Sequence, residues 1–214
     1  MNQIHIILFT NILNKSKYCI VASIRFFVPQ NGNGVFWYSY DMGLVHIIMI
    51  SSEHALDKTS RQFKWLESDL KSIDRNKTPW VIVESHRPMY NSELISEQVP
   101  VVIAMRIEFE ELLIKYDVDL FLAGHYHSYL RTCNGLYRSK CNNGGLIHIT
   151  IGTAGAQLDA GQLFPNHWTE KFLKEWGYGK ITVYNSSKIH FSFISSHGVN
   201  EGKVLDEVWI SNNV

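Results

Sequence analysis

Val118 to Thr132 reads Val-Asp-Leu-Phe-Leu-Ala-Gly-His-Tyr-His-Ser-Tyr-Leu-Arg-Thr. Its first part, Val118 to Ala123, is a short apolar run without helical period, which predicts a buried strand. Gly124 ends the run, and a glycine there lets the main chain turn tightly and come close to a ligand. His125 and His127 follow at once, one residue apart, so on an extended backbone both side chains point the same way. Two polar loop residues that happen to be histidines is the plainer alternative. The apolar strand, the glycine and the position at a strand end favour metal binding.

A second strand makes the same approach. Trp80 to Ser85, Trp-Val-Ile-Val-Glu-Ser, runs into His86, and Pro88 stops it. Two strands joined by an intervening helix are expected to be parallel neighbours, which would bring His86, His125 and His127 to one edge of one sheet. The strand-Gly-His-x-His with Tyr129 and Arg131, and the Val83 to His86 block, resemble the last two signature blocks of the purple acid phosphatases, within the calcineurin-like metallophosphoesterases. The likeness spans roughly Phe26 to Ile210 and is closest from Asn31 to Tyr90.

The resemblance implies an α/β fold, a two-sheet metallophosphoesterase sandwich with flanking helices. It also implies acid phosphatase activity on phosphate monoesters at a dinuclear metal centre of iron with zinc, manganese or iron. His86 and His125 would serve the divalent ion and His127 the ferric ion. Arg87 and Tyr90 stand near that centre, within reach of phosphate or simply packed. The implied location is extracellular, vacuolar or lysosomal.

Composition agrees without deciding anything. The 214 residues carry 20 basic and 20 acidic side chains, with 45% hydrophobic residues. Zero formal charge argues against nucleic acid as a partner, and no 18-residue apolar run predicts a membrane span.

Residues 1–22 form an uncertain amino-terminal segment, and 23–214 read as the carboxyl-terminal part of a metallophosphoesterase catalytic domain. Ile4 to Thr10 is apolar, but no Lys or Arg precedes it, so it makes a poor signal peptide. A strand, or sequence foreign to the family up to about Tyr18, are the readings left open. Asn31 to Gly34 is turn chemistry, and Leu44 to Ser51 is a strand containing His46, a packed histidine. Thr59 or Ser60 caps a helix to about Ile73, with Phe63, Leu66, Leu70 and Ile73 on its apolar face. Val101 to Tyr116 is a second helix, with Ile103, Ile107, Leu112 and Ile114 apolar and Glu108, Glu110 and Glu111 on its solvated face.

Beyond the His-x-His the chain turns to strands: Tyr129 to Thr132, Leu146 to Ile151, Gly179 to Tyr184, Ile189 to Ile194 and Val204 to Ile210. Cys133 and Cys141 flank a short loop, and similar pairs occur at this place in secreted members of the resembled family. A disulfide there would add about 2.6 kcal/mol by loop entropy. Cys19 is left over.

The resemblance also requires earlier ligand blocks before the Phe26 region, Asp-x-Gly or similar, Gly-Asp-x-x-Tyr and Gly-Asn-His, and none of them stands there. Two dications about 3.7 Å apart repel by about 18 kcal/mol at an effective dielectric of 20, so anionic ligands must surround them. Neutral imidazoles cannot supply that charge, and Asp41, Asp57, Asp117 and Asp119 stand in no ligand block. The expectation is therefore a chain incomplete on its amino-terminal side and near background activity by itself. The alternatives are a non-catalytic member that binds one metal or a partner, and a single zinc held by three histidines and water.

Overall fold

The computed structural model describes residues 4–8 (main chain only), 26–93, 99–142 and 144–211. Among the described residues, eleven strands form two sheets. In chain order the strands are β1 (Ile4–Leu8), β2 (Tyr38–Met42), β3 (Val45–Ile50), β4 (Trp80–Ser85), β5 (Leu120–Ala123), β6 (Tyr129–Thr132), β7 (Ile147–Ile151), β8 (Thr169–Leu173), β9 (Gly177–Asn185), β10 (Lys188–Ser195) and β11 (Val204–Ser211). The larger sheet has the order β2-β3-β4-β5-β7-β6-β8 and the smaller β1-β9-β10-β11. β3, β4, β5 and β7 are parallel, and the remaining pairings are antiparallel.

Helix α1 (Arg61–Ser72) carries the chain from β3 to β4, and α2 (Val99–Lys115) precedes β5. Ser60 caps α1, its hydroxyl accepting from the Phe63 N–H at 3.1 Å, which satisfies one of the amides a helix start leaves open. Period-2 alternation then divides the core into two layers. Ile48, Ile50, Val81, Val83 and Phe121 pack against Phe63, Leu66, Phe109 and Leu113 of the helices. Val45, Ile47, Trp80, Ile82, Leu120 and Leu122 turn the other way and meet Ile181, Val183, Phe191 and Phe193 of the smaller sheet. Central strands buried on both faces are why their sequences are apolar without alternation.

The expected two-sheet sandwich with flanking helices is present, with some local corrections. α2 begins at Val99 and buries Val102, Met105, Phe109, Leu112 and Leu113, whereas Ile103 and Ile107 are exposed. Glu110 is buried rather than solvated, accepting from the Tyr90 hydroxyl and from the Arg138 main chain at 3.3 Å. β8 was not expected: its Thr-Glu-Lys-Phe-Leu sequence is half-buried at a sheet edge and carries little apolar signal. At the amino terminus, Ile4–Leu8 pairs with β9, and residues 9–25, including Cys19, lie outside the described residues. Cys133 and Cys141 are bonded, with Cα atoms 5.7 Å apart. No helix among the described residues is long and apolar enough to cross a membrane.

Candidate metal centre

Parallel register brings the first two histidines together. Ser85 of β4 is the partner of Ala123 of β5, so the residues that follow the two strands leave the sheet side by side. The Gly124 N–H donates to the His86 carbonyl at 3.0 Å and extends the pairing past the strands. His86 Nε2 and His125 Nδ1 then stand 2.9 Å apart, the rings nearly perpendicular at 82°. The turn that aims them is made by His125 itself, which takes φ 67°, and not by Gly124. A left-handed non-glycine residue costs about 1–3 kcal/mol and persists where surrounding contacts hold it. The loop is seated on β7's end, because a Cβ on Gly152 would fall 1.9 Å from the Tyr126 carbonyl oxygen.

His127 is oriented from a different segment. Its Nδ1 lies 2.7 Å from the Gln157 carbonyl, which only accepts, so the ring proton is on Nδ1 and Nε2 keeps its lone pair. Its main-chain N–H donates to Asp159 Oδ2 at 2.8 Å. A histidine whose second nitrogen is pinned in this way is the usual arrangement for a metal ligand.

Arg87 closes the group on its outer side. Its Nη1 is 3.0 Å from His125 Nε2 and its Nε donates to Glu53 Oε1 at 2.6 Å, while the Arg87 N–H donates to Ser52 Oγ at 3.2 Å. Burial, then the Arg87 charge, pushes the His125 imidazole down to about 4. Burial likewise lowers His86, with Glu53 opposing. Both rings are therefore neutral at ordinary pH, the state in which imidazole binds a metal.

The pair fits one ion. With metal–nitrogen bonds of about 2.0–2.1 Å and ligand angles of about 90–110°, two imidazole nitrogens sharing an ion lie about 2.9–3.4 Å apart. The buried Nδ1 of His86 has no partner among the described residues, so the ring is not held by a competing bond on that side. Nevertheless, no group of three His, Cys, Asp or Glu side chains in a metal-holding arrangement occurs among the described residues.

Residues 7–129 match the calcineurin-like phosphoesterase model, and residues 145–207 match the iron/zinc purple acid phosphatase-like protein C model. The chain is 35% identical over 214 residues to human acid phosphatase type 7, covering 87% of this chain and 48% of the relative. Purple acid phosphatase 23 of Arabidopsis thaliana is 40% identical over 62% of this chain and 29% of its own length. A purple acid phosphatase from yellow lupin (Lupinus luteus) seeds superposes with a TM-score of 0.80 at 30% identity, over 90% of this chain and 35% of that one.

The chain belongs to the purple acid phosphatase family. It spans about half the length, or less, of the curated relatives it matches. The match from residue 7 begins inside the segment that looked foreign to the family.

Other residues of this purple acid phosphatase chain lie away from the centre or had no signal in its sequence. Tyr90 points away from the centre, its hydroxyl on Glu110 and its ring 5.3 Å from Trp168, so it packs. Glu53, Gln157 and Asp159 had no motif to mark them, since loops beyond the strands bring them to the histidines. An Asp-x-Gly string does occur at Asp41 to Gly43, but Asp41 pairs with His46 at the other end of β3 from the centre. Asp119 is spent on Arg75 and the Val81 N–H, again at the amino ends of the strands. The two described concavities, about 300 and 400 Å³, are lined by residues such as Asp117, Asn134 and Trp209 and by none of the candidate histidines.

Proposed function

We propose that this chain supplies the histidine side of a metal-dependent phosphate monoester hydrolase centre. The observation that carries the reading is the facing pair His86 Nε2 and His125 Nδ1, 2.9 Å apart, a separation that two ligands of one ion would have. These two would hold a divalent ion, zinc, manganese or iron, and His127 Nε2 would face an iron. A bound ion pair would activate water and neutralise the phosphate charge. What the chain's own residues do is orient: Gln157 fixes the His127 tautomer, Asp159 fixes its main chain, and β4 and β5 fix the other two rings. The Cys133–Cys141 bond supports an oxidising compartment, extracellular, vacuolar or lysosomal.

A second reading is a member that binds one metal without turnover. It is favoured by the lack, among the described residues, of three His, Cys, Asp or Glu side chains grouped to hold a metal, and two relatives at 34% and 30% identity are named as probable inactive purple acid phosphatases. The test is hydrolysis of p-nitrophenyl phosphate at mildly acidic pH with iron and zinc supplied, with zinc uptake measured on the same samples and His125→Ala as control. Turnover that needs metal and vanishes in the control supports the hydrolase. Zinc uptake with background turnover supports the second reading, and absence of uptake defeats both.

A further inference from the structure

Arg87 touches a candidate ligand in a way that a metal ion would not permit. A guanidinium has donors only, so His125 Nε2, 3.0 Å from Arg87 Nη1, must accept. A neutral imidazole has one N–H, and for His125 it is therefore on Nδ1, donating to His86 Nε2 at 2.9 Å. His86 in turn carries its proton on Nδ1, the buried atom without a partner. A single contact thus fixes the proton positions of both rings.

The nitrogens that face each other are the ones a shared ion would take. An ion held by His125 Nδ1 would need that nitrogen's lone pair, so the ring proton would sit on Nε2 instead, with none gained or lost overall. Nε2–H then faces Arg87 Nη1, donor against donor, and that hydrogen bond is gone. Arg87 is not free to leave: Glu53 holds its Nε at 2.6 Å and Ser52 Oγ accepts from its main-chain N–H. Its side chain is largely buried, so a donor edge left unmatched there is costly. An oxyanion bound beside the ion would offer that edge acceptors of opposite charge, and arginine binds such groups through paired N–H donors.

We infer that Arg87 is the oxyanion-binding residue of this centre, held on His125 in the metal-free protein and released toward phosphate when the ion binds. The inference rests on the metal reading above. It makes metal and phosphate binding mutually supportive through a proton position, in addition to their direct attraction.

Two measurements on the full chain test it. Histidine side-chain nitrogen–proton NMR is expected to show His125 as the Nδ1–H tautomer without metal and as Nε2–H with zinc. Calorimetric titration of inorganic phosphate into zinc-loaded protein is expected to show binding weakened about tenfold or more in Arg87→Gln, and less in Arg87→Lys, which keeps the charge. Zinc affinity is expected to be undiminished in both variants. An Nε2–H tautomer already present without metal, or wild-type phosphate affinity in either variant, overturns the inference while leaving the metal reading intact. A wild type that takes up no zinc overturns both. If Arg87→Gln does not fold, the wild-type spectra and Arg87→Lys decide the matter.

Discussion

Arg131 grips the carboxylate of Asp206 with Nε at 2.7 Å and Nη2 at 3.0 Å, and the Tyr129 hydroxyl donates to the same carboxylate at 2.6 Å. Tyr129 and Arg131 lie on β6, directly after the histidine loop, and Asp206 lies on β11 at the edge of the other sheet. The pair therefore ties the exit of the loop to the second sheet. Both side chains are largely buried, so removing one leaves an uncompensated charge. Asp206→Ala is expected to lower stability by about 3–5 kcal/mol, read as a shifted denaturant midpoint. A loss under about 1 kcal/mol would mean that the pair is solvated and ties nothing.

The metal reading predicts an order of effects. Either His86→Ala or His125→Ala should weaken zinc binding by more than the about 10–100-fold lost with a supporting partner. The double variant should be little worse than either single one, because the two rings hold one ion and act together. His127→Ala should leave that first ion bound within about tenfold. Competition with a fluorescent chelator measures all four proteins. Equal losses at the three positions, with little further loss when they are combined, would instead indicate a single ion held by all three rings.

How far the sequence carries can be judged at particular residues. Trp80 to Ser85 and Leu120 to Ala123 were legible because strands buried on both faces have no alternation to hide in, and parallel register alone then joins His86 to His125. Ile103 and Ile107 misled, because an apolar helix such as α2 does not announce which stripe packs; Met105 and Phe109 take the core instead. Gly124 looked like the pivot of the loop, yet His125 has the positive φ. Glu53 and Asp159 could not be found, since long-range loop contacts leave no local pattern. Arg87 was read only as near the centre, within reach of phosphate or packed, and its bond to His125 depends on the sheet.

His46 should make stability fall as pH rises. Burial opposes its charge, but hydrogen bonds to Asp69 and Asp41 outweigh this and raise its pKa above the ordinary 6.5. A folded-state pKa above the unfolded one gives stabilisation that is complete below about 6.5 and is lost as pH climbs through the raised value. The bonds at stake join β3 to α1 through Asp69 Oδ2 at 3.0 Å, where the Ser39 hydroxyl also donates to Oδ1 at 2.7 Å. His46→Gln should flatten the stability profile over that interval, measured by urea unfolding across the pH range. An unchanged alkaline slope would show that the imidazolium does not hold the two aspartates.

His148 acts in the opposite direction. It sits wholly inside the helix-facing core layer on β7, 4.8 Å from the Tyr90 ring and 5.5 Å from Phe121, and neither of its nitrogens has a hydrogen-bond partner among the described residues. Burial, with a smaller contribution from Arg106, pushes its pKa down from 6.5 to about 3. The unfolded chain takes a proton there near pH 6.5 and the folded chain does not. Stability is therefore untouched above about 6.5 and drains away as pH falls toward about 3. At pH 5 the ring is 1.5 pH units below its unfolded value, which at about 1.4 kcal/mol per unit is a loss of about 2 kcal/mol. His148→Leu keeps a similar volume, removes the proton-binding difference and removes two unpartnered polar atoms, whose burial costs about 1–3 kcal/mol. The variant is expected to be more stable than the wild type at pH 7 and to gain a further margin of about 2 kcal/mol at pH 5. Urea midpoints for both proteins at the two values measure this. A margin that does not widen between pH 7 and pH 5 would mean that His148 finds a proton or a partner in the folded state, and its burial as a neutral, unpaired ring would have to be given up.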